Sequence, residues 1–150
     1  SGSIATGDAI LAAQAMGADL AYIGSAFIAT KEANADRAYK QAIVDARAED
    51  IIYSDLFTGV HGNYLRGSIA AAGLDPDDLP AGDYKTMNFK EDATAAKAWR
   101  DIWGAGQGIG AVSAIEAVSD RIDRLEQEYR RAGARLSSAN GFAQNEMRAA

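Results

Sequence analysis

Between Gly2 and Thr30 the chain alternates small-residue turns with one helical and one strand-like stretch. That order restricts the available folds more than any other feature. Gly2-Ser3-Ile4-Ala5-Thr6-Gly7-Asp8 reads as a glycine-rich turn leading into a short helix. Leu20-Ala21-Tyr22-Ile23 is a short apolar run, and Gly24-Ser25-Ala26 is a second small turn. Helix, strand and two turns in this order make one βα unit of a parallel α/β protein, entered at its loop. Two such turns, one helix and one strand apart, can surround a single phosphate with backbone N–H groups. In (β/α)8 barrels the recurring phosphate site is built by the loops after strands 7 and 8. The same small residues also suit any tight βα turn, so the pattern alone leaves an architectural reading open.

Local signals fix the expected boundaries. Thr6 is an N-cap, and Asp8 places a carboxylate in the first turn, where the helix dipole favours it. The helix is expected over residues 7–16, with Ile10, Ala13 and Gly17 on one face and Gly17 as the C-terminal stop. Residues 19–25 are expected to form a parallel strand buried on both faces, because apolar residues occupy both sides of the run. A second helix is expected over 35–48, with Ala38, Ala42 and Ile43 inward and Arg37, Lys40 and Arg47 outward. Residues 50–54 read as a short strand, and 63–72 as a helix stopped by Gly73.

Asp75 to Asp83 holds both prolines of the chain and four aspartates, the composition of a surface loop. It divides the chain near residue 80 into halves that each look too small for an independent domain. Trp99-Arg100-Asp101-Ile102-Trp103 then leads into Gly104-Ala105-Gly106-Gln107-Gly108-Ile109-Gly110. Ser113 and Glu116 match a capping box. Ile115, Val118, Ile122, Leu125 and Tyr129 step at helical spacing behind it. Gly133 is the expected end of that helix, and the tail from Leu136 is expected to fray.

Composition removes several classes of function. The 150 residues suit one ordinary domain and are too few for a complete barrel of about 250. A hydrophobic fraction of 48% supports a core. With a net charge of −6, a nucleic-acid partner is not expected. The absence of cysteine excludes disulfides and thiolate chemistry and is compatible with the cytoplasm, the expected location. No run approaches the roughly 18 apolar residues of a membrane span. His61 is the sole histidine, in Thr58-Gly59-Val60-His61-Gly62-Asn63. It is read as a loop residue with a local hydrogen bond rather than a general base. The pairs Glu49-Asp50 and Asp77-Asp78 are read as solvated faces. The run from Gly104 to Gly110 does not satisfy G-x-G-x-x-G, since Ile109 stands at the third glycine. A loop that touches a ligand and a simple helix-entry loop both remain open for it.

Taken as an ordered set, these residues resemble a known family. The pieces are Gly2-Ser3-Ile4-Ala5-Thr6-Gly7, Gly17-Ala18-Asp19, Tyr22-Ile23-Gly24-Ser25-Ala26-Phe27-Ile28-Ala29-Thr30, Tyr39-Lys40-Gln41-Ala42 and Trp99 to Gly108. Across roughly residues 1–130 they resemble the C-terminal part of the nitronate monooxygenases, formerly 2-nitropropane dioxygenases.

The resemblance implies an FMN-dependent barrel oxidoreductase that oxidises alkyl nitronates. In that case Gly2, Ser3, Tyr22, Ile23, Gly24, Ser25 and Gln107 are the cofactor-binding residues. The family commonly has Gly-Gly where this chain has Gly2-Ser3, and Gly-Thr where it has Gly24-Ser25. The family's catalytic histidine belongs to a motif upstream of the first turn, which His61 does not match, so no catalytic residue is assigned. The expected fold is the C-terminal part of a (β/α)8 TIM barrel with a mainly helical appendage. Residues 1–48 would be its last βα units, and 49–150 a family-type insertion and helical segment. A small-molecule substrate is expected, and no membrane. A second copy of the chain or the N-terminal part of the barrel is expected as protein partner. An NAD(P)H-dependent quinone or enoyl reductase of the same flavin fold is the alternative enzyme, and a non-catalytic association module the alternative of another class.

Overall fold

The computed structural model describes residues 2–80 and 100–139. The expectations for Ala81, Gly82, Asp83 and Trp99 fall outside these residues. The elements in chain order are α1 (Gly7–Ala15), α2 (Ser25–Ile28), α3 (Arg37–Asp45), β1 (Ile51–Ser54), β2 (Gly62–Leu65), α4 (Arg66–Ala71) and α5 (Val118–Ala139). Short 3₁₀ turns at Ala48–Asp50 and Gln107–Ala111 join them.

α1 begins as its sequence dictates. Thr6 Oγ1 accepts from Ala9 N at 3.2 Å, and Asp8 stands in the first turn. The helix ends at Ala15, with Met16 as cap and Gly17 at φ +95, a left-handed conformation that glycine adopts without strain. Ile10 and Ala13 are half-buried, while Gly17 is exposed and closes the turn rather than joining the packed face.

The buried strand expected at 19–25 does not form. Residues 19–24 carry no strand pairing, Leu20 is 90% exposed and Tyr22 is 76% exposed. A strand exists only through hydrogen bonds to a neighbour, and among the described residues no strand lies beside this run. Instead of a parallel sheet, the one sheet described is an antiparallel pair in which Ile51 faces Leu65, Ile52 faces Tyr64, Tyr53 faces Asn63 and Ser54 faces Gly62.

β2 takes the first part of the helix expected at 63–72, so α4 starts only at Arg66. Gly73, at φ +85, follows its end as expected. The pairing to β1 outweighs the local helical pattern here. In α3 the expected faces are exchanged at two positions: Lys40 is buried and Ala38 is exposed, while Ile43 is fully buried as expected.

The principal core unites both halves of the chain. Ala5, Ala26, Ala29 and Ile43 pack with Leu65, Ala105, Ile109 and Val112. A smaller cluster joins Tyr64, Ile69 and Ile102, with Phe57 and Leu79 against it. α5 lies along α1, with Leu125 and Ala132 buried. α5 begins at Val118, so Ser113–Glu116 is not its capping box, and it continues through Gly133. Ile122, expected inward, is exposed; residues 136–139 are helical, and the rest of the tail expected to fray, 140–150, lies outside the described residues.

Glu116 does different work. Thr30 pairs with it in a parallel bridge, and Lys31 N donates to its carbonyl at 2.9 Å. Its carboxylate meets both Arg124 and the Nε of the fully buried Arg121, the latter at 2.6 Å. That Nε is close enough for an ion pair but out of line for a hydrogen bond. Burial lowers the pKa of Arg121, with the Glu116 charge opposing the shift.

Candidate functional site

Three segments far apart in sequence meet at one cleft. Gly2 reaches its position through φ +89, a region open to glycine. Ser3 follows without positive φ, as do all other described non-glycine residues, so serine is accommodated there without strain.

The glycine-rich run after Trp103 closes onto this turn. Gly108 N donates to Gly2 O at 2.9 Å, and Gly106 N donates to Ser25 Oγ at 2.9 Å. The approach is close enough to require glycine: a Cβ on Gly106 would stand 2.9 Å from Gly2 C, and one on Gly108 3.0 Å from Ser3 C. β2 fixes the run from its other side. Leu65 N donates to Trp103 O at 2.8 Å, and Ala105 N to Asn63 O at 3.1 Å. The hydroxyl of Ser68 on α4 donates to Leu65 O and accepts from Trp103 N. Tyr39 completes the brace. Its ring stacks on Trp103 at 5.1 Å between centroids, and its hydroxyl donates to Gly104 O. Burial raises the pKa of that phenol.

The resulting cleft measures about 220 Å³. It is lined by Gly2, Ile4 and Ala5 from the first turn, by Tyr22, Gly24, Ser25 and Ala26 from the second, and by Gly108. Four of the residues singled out from sequence, Gly2, Tyr22, Gly24 and Ser25, therefore come together. Ser3 is exposed beside them, its backbone against Gly108. Ile23 packs on the principal core instead of lining the cleft. Gln107 sits at the rim, its Oε1 accepting from Asn63 Nδ2 at 3.4 Å and lying 3.9 Å from where a Gly2 Cβ would be. Gly106 and Gly108 were not singled out. Their signal was the alternation of glycine with other residues from 104 to 110, a run that straps the first turn and also enters the 3₁₀ turn at Gln107–Ala111.

No carboxylate lines the cleft, and Ser25 Oγ, having accepted from Gly106 N, keeps its own proton to donate. Such a surface is suited to an anionic group. His61 is exposed on the hairpin and stacks on Tyr53 at 4.8 Å, so it does not line the cleft. The exposed Asp77 pairs with Arg66 at 2.8 Å, and the half-buried Asp50 accepts from Arg47 N at 2.8 Å. Among the described residues no group of three or more His, Cys, Asp or Glu is placed to hold a metal ion. Among them, too, no helix is long and apolar enough to cross a membrane.

The order of these turns and the architecture around them are shared with known proteins. The family model for nitronate monooxygenase matches residues 1–128, and the chain belongs to that family. It is 26% identical over 136 residues to a probable nitronate monooxygenase of Staphylococcus haemolyticus, and 27% identical over 136 residues to a nitronate monooxygenase of Paraburkholderia phytofirmans. Each alignment covers 86% of this chain and 37% of the relative, so the chain spans little more than a third of the length of these proteins. Among solved structures it resembles nitroalkane oxidase from Streptomyces ansochromogenes, with TM-score 0.66 and 26% identity over 90% of this chain and 40% of that one. It also resembles FabK from Thermotoga maritima, with TM-score 0.63 and 22% identity over 91% of this chain and 45% of that one.

Proposed function

We propose that this chain supplies the phosphate-binding side of an FMN site in an oxidoreductase that acts on alkyl nitronates. The observation that carries the reading is the convergence of Gly2, Gly24, Ser25 and Gly108 on one cleft without a carboxylate. Small residues let a phosphate approach the backbone, and the Ser25 hydroxyl adds a donor. The volume suits a phosphate and part of its chain; it is below the range of roughly 300–1,000 Å³ that encloses a whole drug-sized ligand. The fit is thus to the phosphate end of the cofactor, with Tyr22 as the aromatic wall beside it.

A bound flavin would supply the electron-accepting ring. The residues of this chain would anchor and orient it: Gly2 and Gly24 by close backbone approach, Ser25 by its hydroxyl, and Gly106 and Gly108 by holding the two turns in register. Ser3, Ile23 and Gln107 complete the proposed cofactor set from the cleft's edge. The base that would take a proton from the substrate is assigned to no residue of this chain.

Titration of the purified chain with FMN, followed by flavin fluorescence, tests the reading. Weak saturable binding is expected, and Gly24→Asp should abolish it through bulk and like charge. Undiminished affinity in that variant would refute the site. A flavin-loaded protein reduced by NAD(P)H but not by an alkyl nitronate would move the reading to a quinone or enoyl reductase.

A further inference from the structure

A second cavity, sharing no lining residue with the flavin cleft, is built from the opposite resource of this acidic chain. It measures about 490 Å³ and is lined by Lys31, Ala35, Arg37, Lys40 and Ile115. Three of the five lining side chains are cationic and none is anionic, in a protein whose net charge is −6. Such a concentration of one sign around a concave surface focuses the field on what enters it.

Lys40 is the decisive member. Only 8% of it is exposed, and among the described residues its ammonium makes one hydrogen bond, to Lys31 O at 3.2 Å. An ammonium carries three donors, so two of them have no hydrogen-bond acceptor among the described residues. Burying such a group is costly unless a partner of opposite charge compensates. Two carboxylates of the flanking segments are engaged elsewhere: Glu116 meets Arg121 and Arg124, and Glu32 accepts from Val118 N at 3.0 Å. Arg37, which begins α3, brings a planar fork of donors at the positive end of that helix. Asp36, at the N-cap, makes no side-chain capping bond, so its carboxylate does not close the helix end. Ile115 provides an apolar wall.

The geometry points to a binding site for a small, multiply charged phosphate compound, held by Lys40 from within and by Lys31 and Arg37 at the mouth. Three cations match an anion of several charges, a free pyrophosphate or the diphosphate of a nucleotide. Phosphate oxygens accept from the unused ammonium protons of Lys40 and take the Arg37 fork in two parallel bonds.

The test is calorimetric titration of the full chain with pyrophosphate, then with ADP and with succinate. Lys31 and Arg37 are exposed, so Lys31→Gln and Arg37→Gln leave the core intact. Saturable pyrophosphate binding is expected at millimolar concentration or better, and each variant should weaken it about tenfold, the loss of one charged hydrogen bond. Lys40→Gln should do the same, with circular dichroism as the check on folding. Gly24→Asp, in the other cleft, should leave it unchanged. Tighter binding of ADP than of pyrophosphate would assign the diphosphate to a nucleotide, and the reverse to the free ion. Three results overturn the site: no saturable binding, equal affinity for succinate, or undiminished pyrophosphate affinity in the variant lacking both Lys31 and Arg37.

Discussion

Replacing Gly7 with alanine should destabilise the protein by about 2–4 kcal/mol. Gly7 is the point at which α1 meets α5. A Cβ there would fall well inside contact distance of Leu125 O and Tyr129 N, and 2.7 Å from Glu128 Cβ. The α5 backbone must then retreat by several tenths of an ångström or more, and overpacking of this kind costs about 1–3 kcal/mol. The retreat also stretches the bond from Gly7 N to Glu128 Oε2, now 2.8 Å. A hydrogen bond to a charged acceptor contributes about 1.5–3 kcal/mol, part of which is lost. Against these, alanine's helix preference over glycine restores at most about 1 kcal/mol, and less at the first helical position. At about 2–4 °C per kcal/mol for a domain of this size, Tm should fall by about 5–15 °C. Gly67→Ala, in α4, is the control. A Cβ at Gly67 meets nothing within 4 Å, so this variant should be neutral or gain up to about 1 kcal/mol. Thermal and urea unfolding of both variants decide the matter. A Gly7→Ala protein as stable as its parent would refute the close α1–α5 approach.

Other expectations can be checked with single variants. Ser25→Ala removes the acceptor of Gly106 N; it should cost about 1–3 kcal/mol in urea unfolding and weaken FMN, and unchanged FMN affinity would show that the hydroxyl does not reach the phosphate. The hydrogen bond from Arg135, 2.5 Å from Asp8 Oδ1, holds the Asp8 carboxyl below its ordinary 3.8. A depressed carboxylate stabilises the fold above that ordinary value and ceases to do so as pH falls through the lowered one. In Arg135→Gln the Asp8 titration followed by NMR should therefore move back up toward 3.8, and an unmoved midpoint would exclude the pair as its cause. Tyr39→Phe loses the bond to Gly104 O but keeps the stack on Trp103, so a loss of about 0.5–1.5 kcal/mol is expected. In the parent, the Tyr39 phenol should titrate above 10 because it is half-buried; a midpoint at or below 10 would contradict that burial.

The chain's own residues determined its local structure where the signal is short-range. Thr6, Asp8 and Gly17 bound α1 because capping, dipole and left-handed turn all act within a few residues. The run at 50–54 and the stop at Gly73 were legible for the same reason. Family membership was legible too, because it rests on the order of several small motifs rather than on any contact.

What the tertiary structure decided is everything that depends on a distant partner. Leu20 to Ile23 announces a wish for burial, but hydrophobicity does not say what will cover it, and here Leu20 and Tyr22 stand in solvent. Residues 63–65 became a strand because β1 was there to pair with them. Lys40 lay on the face expected to be outward, yet it is buried, with its ammonium donating to Lys31 O from the segment before α3. The cleft itself joins Gly2 to Gly108 through a hydrogen bond between residues more than a hundred positions apart. Glycine at 106 and 108 announces freedom of backbone, and only the packed structure shows that the freedom is used for close approach to the first turn.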